Sequence, residues 1–524
     1  MSGWKISEAL RHQIYKYAKL PQTGVSLRQM VQFGPRPSQG TLFHASYFAV
    51  HELPIRLSHR VRELENLPMG LSDETSIKLV RDWYAQSFEE LMNLEEPVLD
   101  DKMRDMLLKN QKDELIWGTD GFIDLKDEFN DGKLSNNNEN YTELGRRTSN
   151  FIFEDDGIVI GKNLKRKVRK MDIENEIKHE HKTKNNHQLK GKLTNNDINI
   201  NSTFDNDINF NIEGENRNID DSFAKPIGLT TYFQDAPNDI IYPKEVIDYN
   251  KLVTKTLVKI KRRHDATVTT LARGVQNWKQ KNNYKYLNSP INQFLDRFYM
   301  SRIGIRMLIG QTIAINQQSD KNMQNDDYVG IICLHCNIKE IIHDAIDAAR
   351  FACEEHFNIM DVPKVKLYCP SDLSFRYVPG HLVHMLYETL KNSLRATIEH
   401  HSKLNPGVDL DDIKYPPIKI IVAKGDEDIT IKISDEGGGI PRSAVSLIWT
   451  YFYTSAEKQI KEEEELFDLN NHKVPFMGLG VGLPHSRLYA RYFSGDLKLI
   501  SMEGYGTDVY LHLNRLSGST EPLQ

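Results

Sequence analysis

Cysteine is scarce in this chain: four in 524 residues, too few for a secreted scaffold stapled by disulfides. No apolar run approaches the roughly 18 residues of a membrane-spanning helix, so no membrane span is expected. An excess of one charge is also missing. The 67 Lys and Arg against 73 Asp and Glu leave a net charge of -6, and nothing in that balance points to nucleic acid as a partner. What is present is 39% hydrophobic residues, enough in so long a chain for sizeable cores in two or three domains. The first twenty positions set Lys5, Arg11, Lys16 and Lys19 against Glu8, with Trp4, Ile6, Leu10, Ile14 and Tyr17 interleaved. Two readings fit that pattern: a mitochondrial targeting helix, or the amphipathic first helix of the fold.

Three textures follow one another. Residues 1–118 read as helices, with apolar residues at three- and four-residue spacing in "TLFHASYFAVHELPIRLSHRVREL" and "ETSIKLVRDWYAQSFEELMNL". Residues 119–237 turn to Asn, Asp and Lys, as in "NNDININSTFDNDINFNIEGENRNIDD", and carry a basic run at Lys162–Lys170. Such a segment buries too little to offset its ordering entropy, so a disordered, dispensable insertion is predicted. Loop closure costs grow only logarithmically, which lets a bundle tolerate it. Residues 238–320 then supply what read as two long amphipathic helices, "KLVTKTLVKIKRRHDATVTTLARGVQNW" and "INQFLDRFYMSRIGIRMLIGQTIAI", completing one bundle with residues 1–118. Over 325–517 strands ("YVGIICL", "PIKIIVAKG", "DITIKISD", "GDLKLISM", "GTDVYLHL") mix with helices ("ACEEHF", "HLVHMLYETLKNSLRATIEHH"), and 518–524 are a tail. The expected class is α+β.

The chemistry gathers in this last region. In "DITIKISDEGGGIP", Ile429, Ile431 and Ile433 alternate with polar residues, so Asp435 continues the inward series and requires a donor. The glycines behind it leave room for a close approach. On the helix over 381–400, His384, Glu388, Lys391, Asn392 and Arg395 share about one quadrant, opposite Val383, Leu386, Tyr387, Leu390, Leu394 and Ile398. "MGLGVGL", Met477 to Leu483, runs glycines into a helix N-terminus, an arrangement suited to phosphate. "SMEGYGTDVYL" is a hairpin turn with Thr507 opening the last strand.

In this order the acid/amide helix, "DEGGGIP", "GLGVGL" and "GYGTD" resemble the nucleotide-binding boxes of the Bergerat-type ATPases. Longer segments, "HMLYETLKNSLRAT", "WYAQSFEELMNLEEP", "QFLDRFYMSRIGIRMLI", "VQFGPRPS" and "LPHSRLYARYFSGDLKLISMEGYGTDVYL", are similar to the mitochondrial pyruvate dehydrogenase kinases, with the branched-chain α-ketoacid dehydrogenase kinases as nearest relatives. The resemblance implies a helical bundle followed by an α/β-sandwich ATP-binding domain in a matrix enzyme that uses ATP and Mg²⁺. It implies Glu388 as general base, His384 as its hydrogen-bonded tuner, and Lys391 and Arg395 as positive charge near the phosphates. Asn392 would ligate Mg²⁺. Asp435, Gly439, Ile440 and Thr507 would form the adenine pocket, with Thr454 and Ser455 near the nucleotide. Gly478, Leu479, Gly480, Val481, Gly482 and Leu483 would cradle the phosphates, and residues 456–476 would be a polar lid.

The implied target is a serine on E1α of the pyruvate dehydrogenase complex, with docking on the lipoyl domain of E2 through the bundle, and a homodimer. The ending "LNRLSGSTEPLQ" has no Asp-Trp pair, a feature closer to the branched-chain type, from which weaker tail-mediated dimer and lipoyl contacts are expected. Two other classes compete. "RRHDAT" offers His264 as a phospho-acceptor of a sensor histidine kinase, although the Arg and Pro usual after it are missing. A non-catalytic nucleotide-binding scaffold is the other, opposed by the joint presence of Glu388, Lys391 and Asn392. "CLHC", Cys333 to Cys336, has the spacing of half a metal site, with no second pair to complete it.

Overall fold

Serines start the first helices. The hydroxyls of Ser7, Ser26 and Ser38 accept from backbone N–H groups three residues on, at 3.2, 3.2 and 3.0 Å, each satisfying one orphan donor of a helix N-terminus. They open α1 (Glu8–Tyr17), α2 (Leu27–Val31) and α3 (Gln39–Glu65). The computed structural model describes residues 4–108, 232–237, 239–284, 286–318, 326–371, 373–453, 480–515 and 521–523. Within them α4 (Thr75–Met92), α5 (Asp101–Leu108), α6 (Lys244–Arg263), α7 (Thr267–Lys281) and α8 (Ser289–Gln318) complete the helical part. The helix α3 is buried on almost every side because α4, α6 and α8 all pack on it. Leu10 and Ile14 of α1 are buried, Trp4 Nε1 donates to Glu89 at 3.0 Å, and Tyr17 meets Phe88 edge-on at 5.3 Å. The first amphipathic stretch is thus a working helix of the bundle.

Three expectations shift. The segment 251–278, read as one helix, is two, broken at His264–Ala266 between α6 and α7. The break follows from tertiary contacts: His264 stacks on Tyr84 at 4.4 Å with its Nε2 3.0 Å from Ser87 Oγ, and Arg306 holds Asp265 at 2.9 Å. The bundle also resumes before residue 238. Tyr232 is 1% exposed and packs edge-on against Phe33 and Phe48, both at 5.1 Å, while Ala236 N donates to Thr41 Oγ1 at 3.2 Å. The rest of the expected insertion, 119–231, lies outside the described residues. Finally, part of the tail belongs to the bundle's contacts. The carboxylate of Glu521 accepts from Arg56 through both oxygens, from Tyr492 OH at 2.7 Å and from Val25 N at 3.0 Å.

The α/β part begins with β1 (Tyr328–Val329) and β2 (Ile332–Asn337), one expected strand parted at Gly330, where φ is 63°. Then come α9 (Ile338–Phe357), β3 (Val365–Tyr368), β4 (Ser374–Tyr377), α10 (Pro379–Leu404), β5 (Ile418–Lys424), β6 (Asp428–Asp435), α11 (Gly482–Tyr492), β7 (Asp496–Met502) and β8 (Gly506–Asn514). A five-stranded sheet runs β3-β5-β6-β8-β7, with β3 parallel to β5 and the other neighbours antiparallel. A small sheet runs β1-β2-β4. Ile418, Ile420, Ile429, Ile431, Ile433, Leu497 and Leu511 turn to the covered face, where α10 and α11 pack. Alternate residues such as Ile421 and Ile500 face outward. The helix α8 packs on α11, joining the helical and α/β parts.

Candidate active site

The inward series of β6 ends as the alternation requires. Asp435 is buried, and its donors are neutral: Ser393 Oγ at 2.8 Å to Oδ2, Gly437 N at 3.0 Å and Thr507 N at 3.3 Å to Oδ1. Burial pushes its carboxyl above the usual range, and the hydrogen bonds from Ser393, Gly437 and Thr507 pull back against that. Ser393 escaped the sequence reading because its serine sits between the two faces assigned to that helix. Ser501 escaped as well. Its hydroxyl accepts from Ile440 N at 2.7 Å and lies 2.9 Å from Thr507 Oγ1, tying the loop after β6 to the β7–β8 hairpin.

The glycines of that loop have a second use beside the room they leave. A Cβ on Gly437 would stand 2.7 Å from Ala396 Cβ, one on Gly438 would run into the His400 ring, and one on Gly439 would overlap Met502 O. Gly438 and Gly439 also carry φ of 79° and 68°, conformations that L side chains resist. The loop is therefore pressed between α10 and the hairpin, which fixes Gly439, Ile440 and Thr507 around the Asp435 end of β6.

One turn of α10 earlier, Glu388 and Lys391 form a buried pair, with Nζ 2.8 Å from each carboxylate oxygen. The first part of this polar face is covered. His384, Glu388 and Lys391 are 6%, 5% and 8% exposed, because α11 and the glycine segment leading into it close over them. Gly482 lies directly on the Glu388 carboxylate, where any Cβ would overlap Oε2. Gly480 has φ 70° and no room for a side chain against Tyr453 O and Phe452 Cα, and its carbonyl accepts from Phe452 N at 2.9 Å. Val481 is buried, and Leu483 half-buried at the start of α11. A carboxylate thus sits at the N-terminal end of a helix whose glycines keep its backbone bare, the geometry that also receives phosphate.

The remaining expected residues divide. His384 makes no hydrogen bond to Glu388: its Nε2 is buried without a hydrogen-bond partner among the described residues, and its ring lies between His485 and Tyr489 at 5.5 and 5.0 Å. Arg395 donates to Glu399 at 2.6 Å in the next turn. Asn392 is exposed. Its amide oxygen is a hard donor, the type Mg²⁺ takes while keeping several waters, so the side chain suits that ion. Thr454, Ser455, Gly478, Leu479 and the lid expected over 456–476 lie outside the described residues.

His264 is 1% exposed and stacked in the bundle, with burial pushing its pKa down to about 3. It presents no accessible acceptor for phosphate. Cys333 and Cys336 are buried, and the hydrogen bond between them lowers the first thiol's pKa and raises the second's.

Residues 24–333 match the family model described as mitochondrial branched-chain alpha-ketoacid dehydrogenase kinase. Residues 377–517 match that of the histidine kinase-, DNA gyrase B- and HSP90-like ATPases. Over its whole length the chain is similar to a mitochondrial [pyruvate dehydrogenase (acetyl-transferring)] kinase of Schizosaccharomyces pombe, 36% identical over 99% of each chain. A second, from Arabidopsis thaliana, is 32% identical over 98% of this chain and 97% of its own. A third, from Drosophila melanogaster, is 41% identical over 50% of this chain and 62% of its own.

Proposed function

Since this chain belongs to the mitochondrial α-ketoacid dehydrogenase kinase family, we propose that it is an ATP-dependent protein serine kinase acting on E1α of the pyruvate dehydrogenase complex in the mitochondrial matrix. The observation that carries the reading is the Glu388 carboxylate, gripped by Lys391 and lying on Gly482 at the α11 N-terminus. In this reading Glu388 takes the proton of a substrate serine hydroxyl as the serine oxygen bonds to the terminal phosphorus of ATP and the bond from that phosphorus to the departing ADP oxygen breaks. The bared N–H groups at the start of α11 and the ammonium of Lys391 offset charge on the phosphates, the principal demand of phosphoryl transfer. Asp435 accepts from the adenine amino group, and Thr507, Gly439 and Ile440 shape the pocket around it. Asn392 would hold Mg²⁺, which would supply positive charge against the phosphates. His384 orients by packing in this arrangement. The lipoyl domain of E2, docking through the helical bundle, and a homodimer complete the proposal by family likeness.

A second reading has its own support, because the model matching residues 24–333 is the one described for the branched-chain kinase. Incubating the full chain with each purified complex and [γ-³²P]ATP decides between them. Label on the pyruvate dehydrogenase E1α serine is expected. Label mainly on the branched-chain E1 would reassign the target and leave the ATP site as described.

A further inference from the structure

A cavity of about 450 Å³ opens between the C-terminal half of α3 and the first turns of α8, a volume within the range of small-ligand pockets. Arg60, Arg62 and Glu63 of α3 and Arg297 of α8 line it, over an apolar wall that includes Leu67 and Phe294.

The charges in this cavity do not balance. Glu63 serves two guanidiniums at once: Arg297 Nε donates to Oε1 at 2.8 Å, and Arg60 Nη1 lies 2.6 Å from Oε2. That second contact is close but misaligned, since neither atom has a hydrogen-bond partner among the described residues. The Arg60 side chain is 5% exposed, and its Nε is likewise without a partner among the described residues. Burial lowers the pKa of Arg60, Glu63 counters, and Arg297 and Arg62 add repulsion. His59, also in the wall, contributes no lasting charge. Its Nε2 lies 2.9 Å from Leu20 O, and burial holds its pKa below the usual 6.5. Among the described residues, three guanidiniums stand around one carboxylate, one of them buried with donors unspent, an arrangement short of negative charge. A solvated ion-pair network would have no reason to bury its central cation.

We propose that this cavity is a binding site for a small anionic metabolite, a carboxylate or phosphate ester with a short apolar body. The anionic group sits among Arg60, Arg62 and Arg297, where planar guanidiniums bind such oxyanions in forks, and the body lies on Leu67 and Phe294. The cavity shares no residue with the described nucleotide set, which lies on α10, β6 and the loop after it, the segment entering α11, α11 itself and the β7–β8 hairpin, so this inference stands whether or not the kinase reading does.

The test uses the full chain with its nucleotide site saturated by ADP. Inorganic phosphate and glycerol 3-phosphate form one arm, succinate and citrate the other, followed by isothermal titration and by amide hydrogen exchange. Binding by one arm is expected, with new protection over 59–68 and 290–297. The double variant Arg62→Gln/Arg297→Gln should weaken it about tenfold or more. Arg60→Leu removes a buried, poorly paired cation, so it should fold at least as stably and should also lose the ligand. Which arm binds identifies the anion type. Failure of every probe to bind, binding unchanged in the variants, or protection confined to other segments would overturn the proposal.

Discussion

Asp435 illustrates how a single buried acid can serve binding at the expense of folding. Among the described residues no cation pairs with it, and its partners are the Ser393 hydroxyl and two backbone N–H groups. Burial raises its pKa, so the folded protein holds this proton more tightly than the unfolded chain. Ionised Asp435 therefore opposes folding at neutral pH, and the opposition fades as pH falls through the raised value. Asp435→Asn keeps the shape and removes the charge. It should leave the melting temperature unchanged or higher while weakening ATP by about ten- to a hundredfold, the loss of one charge-assisted hydrogen bond. Calorimetric titration and thermal unfolding of the same sample check both halves, and a variant that melts lower yet binds ATP normally would contradict the assignment. Gly482 makes the complementary point by lacking a side chain. In Gly482→Ala the new methyl meets the Glu388 carboxylate, which Lys391 prevents from moving freely. Transfer should fall about tenfold or more for a stability loss of about 1–3 kcal/mol, read from kcat and urea unfolding. An unchanged kcat would show that Glu388 can shift without consequence.

At the scale of elements, what could be read from the chain was what local pattern determines. The alternation of Ile429, Ile431, Ile433 and Asp435 places β6 and the direction of its acid, and the apolar stripe of α10 marks its length. Contacts between distant residues left no such trace. Ser393 meets Asp435 42 positions away, and Ser87 meets His264 across 177. No periodicity announces either, which is why the acid's donor and the break between α6 and α7 emerge only in three dimensions. The covered face of α10 was hidden for the same reason, since the helix that closes it follows about ninety residues later. His264 at that break yields a pH prediction. Its folded pKa of about 3 lies below the unfolded value of 6.5, so the unfolded chain takes up protons first. Stability is lost as pH falls below 6.5, by about 2 kcal/mol between pH 7 and pH 5 from this group alone. His264→Gln should lose that much less over the same interval in urea titrations at the two pH values, whatever its absolute stability. An identical pH difference in both proteins would mean that His264 is not buried neutral.

Across the whole molecule, residues far apart in sequence hold the helical and α/β parts together. Arg56 of α3, Tyr492 of α11 and Val25 converge on Glu521. Removing one member of a buried pair strands the other, so Glu521→Ala should cost about 3–5 kcal/mol, less whatever Glu52, 2.9 Å from Arg56, recovers. A melting temperature within a degree of wild type would show the clasp to be incidental. The bundle supports α11 through α8, and α11 in turn places Gly482 on Glu388, so scaffold and chemistry meet at one carboxylate. The decisive measurement is therefore phosphoryl transfer to pyruvate dehydrogenase E1α by wild type and Glu388→Gln, with nucleotide affinity measured on the same preparations. Loss of a general base predicts transfer at least about a hundredfold slower with ATP binding retained, whereas near-normal transfer by the glutamine variant would contradict the account at its centre.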